Sequence, residues 1–418
     1  MLMTGEKICV NDARLLQDFT ELSEIGATVE GGVNRLALSN EDLQARAWFA
    51  DRVDAAGLQL RDDDAGNLSG VLFCDDPHAK TLILGSHMDT VPNGGKYDGA
   101  IGILAALETL RTIKEHDIQL PFHLEAIDFT DEEGCWQSLF GSRGLTGKLN
   151  DVFTHEKEMD LGPFRAALFR AGIRPMDVHK AGRDPHTVAG YLELHIEQGY
   201  RLDRSGIDIG VVTGIVGRCN AEITFYGQAS HSGTTDIHDR RDALLGAASY
   251  VTEAHRLWRA EYTEGMFNCG NLTVSPGAYN IIPDKTKVKV EFRHTDEDTM
   301  RVWQEDLLEL AKTISGSYGL TFNHRVIRQT PASVLPTHFV DTIENVCNTL
   351  DISVTRLTSY AGHDAQTMSR FTPTGMIFVP SVAGISHSPK EFTRWEHVIK
   401  GTNVLLHSVL RLSDHYPW

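Results

Sequence analysis

The sequence lacks closely spaced cysteines, long apolar runs and an excess of positive charge. Its six cysteines are scattered without a CxxC spacing, which argues against a disulfide scaffold and against a cysteine-type zinc site. No stretch approaches the roughly 20 apolar residues of a membrane span, and the first residues lack the apolar segment of a signal peptide. The net charge of −18 disfavours binding to nucleic acid or to an anionic membrane. We therefore expect a soluble, cytoplasmic protein with no nucleic-acid or membrane partner.

The length of 418 residues is too great for one ordinary core and indicates two domains. In residues 1–212, and again in 329–418, apolar runs that predict strands alternate with helical patterns. This alternation is typical of an α/β domain with a mainly parallel sheet. Residues 213–328 instead follow the order β-α-β-β-α-β of a ferredoxin-like unit. We predict a discontinuous α/β domain with an inserted ferredoxin-like α+β domain.

Polar side chains follow three predicted strands of the α/β domain. The strands are Thr81–Leu84, 122–129 and 190–196. The polar residues at their ends are His87, Glu132, Glu133 and His195. Because the carboxyl ends of parallel strands meet at one edge of a sheet, we expect these side chains to lie close together.

Five residues at or near this edge carry side chains that Zn, Mn, Co or Ni ions bind. They are His87, Asp98, Glu133, His195 and His387. A single histidine among 19 is a weak indication, but the coincidence of several at one sheet edge strengthens the hypothesis. Five ligands suit two ions better than one, provided that a carboxylate bridges them. Asp98, in a tight Tyr-Asp-Gly turn, is the natural bridge.

Two further carboxylates extend this hypothesis. Asp89 lies two residues after His87, where its carboxylate can accept the other ring N–H. Glu132 and Glu133 are adjacent, so one is expected to bind metal and the other to stay free as the general base of metal-assisted hydrolysis. An acidic surface loop is the alternative in a chain this negative. A serine nucleophile and a phosphate-binding loop are poorly supported, because neither G-x-S-x-G nor G-x-x-x-x-G-K-[ST] occurs.

Together these motifs resemble the dinuclear-metal aminoacylase and carboxypeptidase superfamily. The match covers nearly the whole chain and is most specific to the hydantoinase/carbamoylase branch, which includes N-carbamoyl-L-amino-acid hydrolases, β-ureidopropionases and allantoate amidohydrolases. The motifs are GSHMDTVPNGGKYDGAIG, DFTDEEG, ELHIEQG, ASHSGTT, NIIP, FRHTD, AGHDAQ and ISHSP.

The resemblance implies a role for each candidate residue of the α/β domain. His87 and His195 would bind one ion, and Glu133 and His387 the other. Asp98 would bridge the two ions. Glu132 would act as the general base. We also count Asp89 among the catalytic residues, because of its expected contact with the His87 ring.

The resemblance also implies how the substrate is bound. The ferredoxin-like domain would serve as lid and dimer interface of a homodimer. Within it, Asn280 and Arg293 would hold a substrate carboxylate, and His231 would reach the partner's site as an oxyanion stabiliser. The residues expected to line the pocket are Gln198, Gly362 and His363. The sequence departs from the family at Trp136, which is close to the acidic pair and is expected to narrow or reshape the pocket.

The implied activity is metal-dependent hydrolysis of the carbamoyl (ureido) C–N bond of a small carboxylate substrate, such as an N-carbamoyl-L-amino acid, with release of ammonia and carbon dioxide. Allantoate or ureidoglycolate hydrolysis in purine breakdown is the nearest alternative. An aminoacylase or dipeptidase is more distant. A binding protein that kept the fold without the chemistry belongs to a different class.

Overall fold

The computed structural model describes residues 8–150 and 161–417. The chain divides into two compact units. The first comprises Met1–Thr213 and Val334–Trp418, and the second comprises Gly214–Ser333. Within the described residues, no helix is long and apolar enough to cross a bilayer.

The helices and strands follow one another along both units. The helices are α1 (Asp12–Glu24), α2 (Asn40–Ala55), α3 (Ala100–Glu115), α4 (Phe140–Leu145), α5 (Gly162–Arg170), α6 (Arg201–Ser205), α7 (Ala243–Glu261), α8 (Glu297–Ser317), α9 (Thr337–Thr349), α10 (Asp364–Met368) and α11 (Trp395–Ser413). The strands are β1 (Gln59–Asp62), β2 (Leu68–Leu72), β3 (Thr81–Ser86), β4 (His123–Asp128), β5 (Val188–Ile196), β6 (Ile209–Ile215), β7 (Gly217–Tyr226), β8 (Ser230–His231), β9 (Met266–Ser275), β10 (Ile281–Ile282), β11 (Lys285–His294), β12 (Thr321–Thr330), β13 (Ser333–Val334), β14 (Val354–Ser359) and β15 (Thr374–Val379).

The first unit is built on a sheet with the strand order β1-β2-β4-β3-β5-β15-β6-β13, and β14 pairs with β6. Its four central strands, β4, β3, β5 and β15, run parallel, which confirms the predicted α/β class. The flanking pairs β1/β2, β2/β4 and β15/β6 are antiparallel.

The central strands end level in two pairs, β3 with β4 and β5 with β15. Ser86 of β3 pairs with Asp128 of β4, and Val379 of β15 pairs with Ile196 of β5. β4, β5 and β15 are buried along their whole length, as expected for apolar strands covered on both faces by helices. The loops that follow these strands therefore all leave from the same edge of the sheet.

The second unit is a four-stranded antiparallel sheet in the order β12-β7-β11-β9, with α7 and α8 packed on it. This is the ferredoxin-like order predicted from the sequence. On β11, Val290 and Phe292 are buried in the core while Glu291 and Arg293 alternate with them on the other face. The short strands β8 and β10 form a separate antiparallel pair.

Three strands of the first sheet, β6, β13 and β14, have no counterpart among the predicted elements. β6 contains two glycines, Gly210 and Gly214, which weaken a strand pattern. Its formation depends on pairing with β15 and β14, which are more than 130 residues away along the chain.

Candidate metal centre

The candidate ligands lie at the edge of the first unit's sheet where the parallel strands have their C-terminal ends. His87 follows β3 directly, and His195 is the penultimate residue of β5. Glu133 lies in the turn after β4, and His387 lies in the loop after β15. Asp98 immediately precedes Gly99, the N-cap of α3, whose φ of 64° lies in the left-handed region that favours glycine.

Asp98 lies between two groups of side chains. Its Oδ1 is 3.1 Å from His195 Nε2 and 3.8 Å from His87 Nε2. Its Oδ2 is 3.5 Å from His387 Nε2, which is in turn 3.5 Å from Glu133 Oε2. The structure thus forms one group from His87, Asp98 and His195 and another from Asp98, Glu133 and His387, with ligand atoms within 4.8 Å of one another.

The donor chemistry of these groups fits divalent ions. His87 Nδ1 is 3.0 Å from the main-chain oxygen of Asp89, and His195 Nδ1 is 2.9 Å from that of Ile196. A carbonyl can only accept, so each Nδ1 carries the hydrogen and each Nε2 is directed to the Asp98 side. Gly99 leaves space for this arrangement, since a Cβ there would lie 2.4 Å from the His87 ring.

The electrostatics of the centre favour a cation between Asp98 and the imidazoles. Burial by itself raises the pKa of Asp98, but His195 and His87 together lower it below its usual range. Burial lowers the pKa of His195, whereas its contact with Asp98 outweighs this and raises the pKa to about 9. The pKa of His87 falls to about 4 because the ring is buried. Positive charge is therefore most stable beside the Asp98 carboxylate.

Asp89 contacts the acidic turn through its carboxylate. Its Oδ1 accepts the main-chain N–H of Glu132, and its Oδ2 accepts that of Glu133, both at 3.2 Å. The same Oδ1 is 3.7 Å from His87 Nδ1, too far for a hydrogen bond. The expected contact between carboxylate and ring is therefore replaced by one from the Asp89 main-chain oxygen, because the two N–H groups occupy the carboxylate.

Glu132 is buried with its carboxylate facing the first group. Its Oε2 lies 3.7 Å from His87 Nε2. Burial raises the pKa of Glu132 well above its ordinary value, and the neighbouring Asp364 and Glu133 carboxylates add to the rise. A carboxyl group with a raised pKa holds a proton more readily than an ordinary glutamate does.

The three residues expected to line the pocket surround this centre. Gln198 Nε2 donates to Asp98 Oδ2 at 2.7 Å, and the buried Gln198 Oε1 has no hydrogen-bond partner among the described residues. The His363 ring is buried and its centroid lies 4.5 Å from that of His195. Gly362 precedes it in the sequence, and a Cβ there would be in van der Waals contact with Gln366 Oε1 at 3.6 Å.

Comparison with known proteins identifies the family. Residues 83–411 match the family described as Peptidase family M20/M25/M40. The chain belongs to this family. The resemblance predicted from the sequence motifs is thereby confirmed.

Within this family the similarity extends over whole chains. N-carbamoyl-L-amino-acid amidohydrolase of Pseudomonas sp. (strain NS671) is 33% identical over 412 residues, covering 97% of this chain and 99% of that protein. Allantoate amidohydrolase of Bacillus subtilis (strain 168) is 32% identical, covering 98% of this chain and 100% of that protein. The crystal structure of an amidase of the hydantoinase/carbamoylase family from Burkholderia multivorans is 33% identical, with a TM-score of 0.85, and the match covers 96% of this chain and 98% of that chain.

Trp136 of this M20/M25/M40 member packs beneath the acidic turn. Its ring stacks on Phe164 with centroids 5.5 Å apart, and its Nε1 donates to the main-chain oxygen of Ala37. Its main-chain N–H donates to the Asp131 carboxylate. These contacts anchor the loop that carries Glu132.

The remaining predicted site residues lie in the second unit. His231, on β8, is exposed, and its Nδ1 accepts the Gly233 N–H at 3.1 Å. Asn280 is exposed next to β10, which pairs with β8. Arg293 contacts the Glu291 carboxylate through Nε at 2.8 Å, which orients its guanidinium.

Sequence reasoning missed two residues that contact the centre. Glu391 accepts the main-chain N–H groups of Tyr97 and Asp98, and Ser386 Oγ lies 2.9 Å from Asp98 Oδ2. Both belong to the segment around His387. The signal for Glu391 is an acidic residue shortly after a candidate ligand, and that for Ser386 is a serine directly before it; both are too common to be interpreted without the fold.

Proposed function

We propose that this protein is a metal-dependent amidohydrolase that removes the carbamoyl group of a small carboxylate substrate, such as an N-carbamoyl-L-amino acid. The observation that carries the proposal is the pair of ligand groups that share Asp98. Full-length similarity to proteins named N-carbamoyl-L-amino-acid amidohydrolase supports the choice of substrate class.

Two divalent ions, Zn, Mn, Co or Ni, would be held by five residues. His87 and His195 would bind one ion, Glu133 and His387 the other, and Asp98 would bridge them. When bound, such ions would supply a lowered pKa for a nearby water and polarisation of the ureido carbonyl.

The protein's own groups then move the proton. Glu132 accepts the proton of the water that attacks the ureido carbon, and it returns this proton to the leaving nitrogen. The C–N bond between the carbamoyl carbon and the substrate amine breaks, which releases the free amine and carbamic acid. The carbamic acid then splits into ammonia and carbon dioxide, so one water accounts for all three products. Asp89 holds the main chain of Glu132 during both transfers.

The second unit would supply substrate recognition. The planar guanidinium of Arg293 pairs with the substrate carboxylate through two hydrogen bonds, and the Asn280 amide adds a donor. His231 stabilises the oxyanion in the active site of the partner subunit, so the active form is a homodimer in which this unit is lid and interface. The pocket lining is completed by Gln198, Gly362 and His363. We place the enzyme in the cytoplasm.

Allantoate or ureidoglycolate hydrolysis is a second candidate. It is favoured by full-length similarity to Allantoate amidohydrolase of Bacillus subtilis, and by similarity to proteins named Ureidoglycolate hydrolase from Oryza sativa and Arabidopsis thaliana over 85% and 88% of their length. Both candidates require the same metal centre and the same carboxylate contact, so they differ in the rest of the pocket.

A substrate panel tests these proposals. Ammonia release is measured with Mn²⁺ and the purified protein on N-carbamoyl-L-amino acids, 3-ureidopropionate, allantoate and ureidoglycolate, with N-acetyl amino acids assayed for amine release. Turnover highest on N-carbamoyl-L-amino acids supports the first candidate, and turnover highest on allantoate or ureidoglycolate supports the second. Absence of turnover on the whole panel would contradict both. Arg293→Met should raise KM more than it lowers kcat if Arg293 binds the carboxylate in ground and transition states alike.

A further inference from the structure

A buried glutamate outside the five proposed ligands contacts the turn that carries Asp98. Glu391 is 5% exposed and follows His387 in the same loop. Its Oε1 accepts two consecutive main-chain N–H groups, from Tyr97 at 3.0 Å and from Asp98 at 3.1 Å. One carboxylate oxygen therefore holds the two consecutive peptide groups that lead into Asp98.

The second oxygen of Glu391 extends this contact to the Asp98 side chain. Ser386 Oγ lies 2.9 Å from Glu391 Oε2 and 2.9 Å from Asp98 Oδ2. The main chain and the carboxylate of Asp98 are thus both tied to the segment that carries His387. Because the aspartate side chain is short, a small rotation of its main chain would move both of its oxygens.

Gly95 provides the space for this glutamate. An ideal Cβ on Gly95 would lie 1.9 Å from Glu391 Oε1, far inside any allowed contact. Gly95 is not among the glycines with positive φ, so an alanine can adopt its backbone conformation. The methyl group of an alanine at position 95 would therefore displace the Glu391 side chain, although the residue itself is unchanged.

We propose that Glu391 is a positioning residue that holds Asp98 in the orientation required to bridge two divalent ions. This inference rests on the metal centre of the proposed function. Hydrogen-bonding partners behind a metal ligand typically contribute about 10- to 100-fold to metal affinity. Glu391 makes two such contacts to the Asp98 turn directly, and its other oxygen lies within hydrogen-bond distance of Ser386 Oγ, whose single hydrogen can be donated either to Glu391 or to Asp98.

Four variants of the full-length protein test the role of Glu391. Glu391→Ala removes the carboxylate, and Gly95→Ala displaces it while Glu391 remains in the chain. Glu391→Gln keeps a carbonyl oxygen for the two N–H groups and directs an amide to Ser386. Glu396→Ala removes an exposed carboxylate on α11 and serves as the matched control.

Two measurements are made on each variant. Hydrogen exchange of the chelator-treated protein measures how well the amides of Tyr97 and Asp98 are protected when no metal is bound. Calorimetric titration with Mn²⁺ measures the affinity and the stoichiometry of metal binding. We expect faster exchange at these two amides in Glu391→Ala and Gly95→Ala, together with Mn²⁺ binding about 10- to 100-fold weaker. The exchange rates and the Mn²⁺ affinity of Glu391→Gln should stay within about threefold of those of the parent protein, because an amide retains the hydrogen bonds. Those of Glu396→Ala should stay in the same range, because its carboxylate is exposed.

Unchanged exchange and Mn²⁺ affinity in both Glu391→Ala and Gly95→Ala would overturn the inference. A Glu391→Gln protein as impaired as Glu391→Ala would also overturn it, since the hydrogen bonds would then not be the cause. Failure of the proposed function has a different signature: the parent protein would neither bind Mn²⁺ nor hydrolyse the substrate panel. In that case, exchange at Tyr97 and Asp98 still decides whether Glu391 holds the turn.

Discussion

Asp89 holds Glu132 by the main chain: the Asp89 carboxylate accepts the Glu132 N–H at 3.2 Å. Its other oxygen accepts the next N–H, that of Glu133, at the same distance. The position of the proposed base is therefore coupled to the position of a proposed metal ligand. In this structure, a change at Asp89 acts on the acidic turn more directly than on the His87 ring.

Asp89→Asn should weaken this coupling, because an amide offers only one acceptor oxygen and places an N–H₂ opposite one of the two donors. We expect Mn²⁺ affinity or kcat/KM to fall about 10- to 100-fold. Titration calorimetry and ammonia release measure the two effects. Asp62→Asn, at an exposed residue of the same unit, is the control, and an Asp89→Asn protein equal to the parent would show that the contact is dispensable.

Glu132→Gln should bind metal as the parent does but lose most of its turnover. The amide keeps the shape of the side chain but cannot accept the proton of the attacking water, so kcat should fall about 10²- to 10⁴-fold. Metal content by mass spectrometry and ammonia release by coupled assay give the two values. Near-parent turnover would remove Glu132 from the role of base.

Removal of metal should abolish hydrolysis. Dialysis against a chelator followed by addition of Mn²⁺, Zn²⁺, Co²⁺ or Ni²⁺ should restore it, because imidazole and carboxylate donors accept all of these ions. The activity of the reconstituted protein against added metal gives the stoichiometry. Turnover that resists the chelator would contradict the metal mechanism.

His231 should act across a dimer interface. His231→Ala alone should lower kcat about 10²- to 10³-fold, as the loss of an oxyanion donor does. If His231→Ala and Glu132→Gln chains are mixed in equal amounts and exchange subunits, about a quarter of the parent activity should return, since half of the dimers are mixed and each has one intact site. No recovery after verified subunit exchange would count against the arrangement in trans.

Arg183 should stabilise the first unit through Glu125. Its two guanidinium nitrogens lie 2.6 and 2.7 Å from the carboxylate oxygens of this fully buried residue. Burial raises the pKa of Glu125, but the Arg183 contact outweighs burial and brings the pKa below its ordinary value. Arg183→Met leaves a buried charge unpaired and should lower the free energy of unfolding by about 3 kcal/mol at pH 7.

The pH dependence of this effect has a definite sign. A carboxyl group whose pKa is lower in the folded protein stabilises the fold at pH values above its unfolded pKa of about 4.3. This contribution is lost as the pH falls through the folded pKa. Urea unfolding of the parent and Arg183→Met proteins should therefore converge at low pH. The double variant with Glu125→Gln should be less destabilised at pH 7 than Arg183→Met, and an equal loss would indicate that packing rather than charge dominates.

Local patterns in the sequence predicted most of the secondary structure. An apolar run that ends in a polar turn is contained in about ten consecutive residues, so strands β3, β4 and β5 and the residues after them could be recognised without the fold. The order β-α-β-β-α-β likewise predicted the second unit. Mainly parallel pairing was predicted too, although the sheet's outer strands are antiparallel.

The sequence by itself determined which chemical groups are present and that several follow strand ends. Only the tertiary structure decided which of them touch. The hydrogen bonds of Asp89 with Glu132 and of Glu391 with Asp98 span 43 and 293 residues of chain. Such contacts depend on the level ends of β3 and β4 and on the path of the loop after β15, and long-range packing sets both. A local sequence pattern does not specify long-range packing, so the contacts among the residues of the metal centre could be seen only in the folded chain.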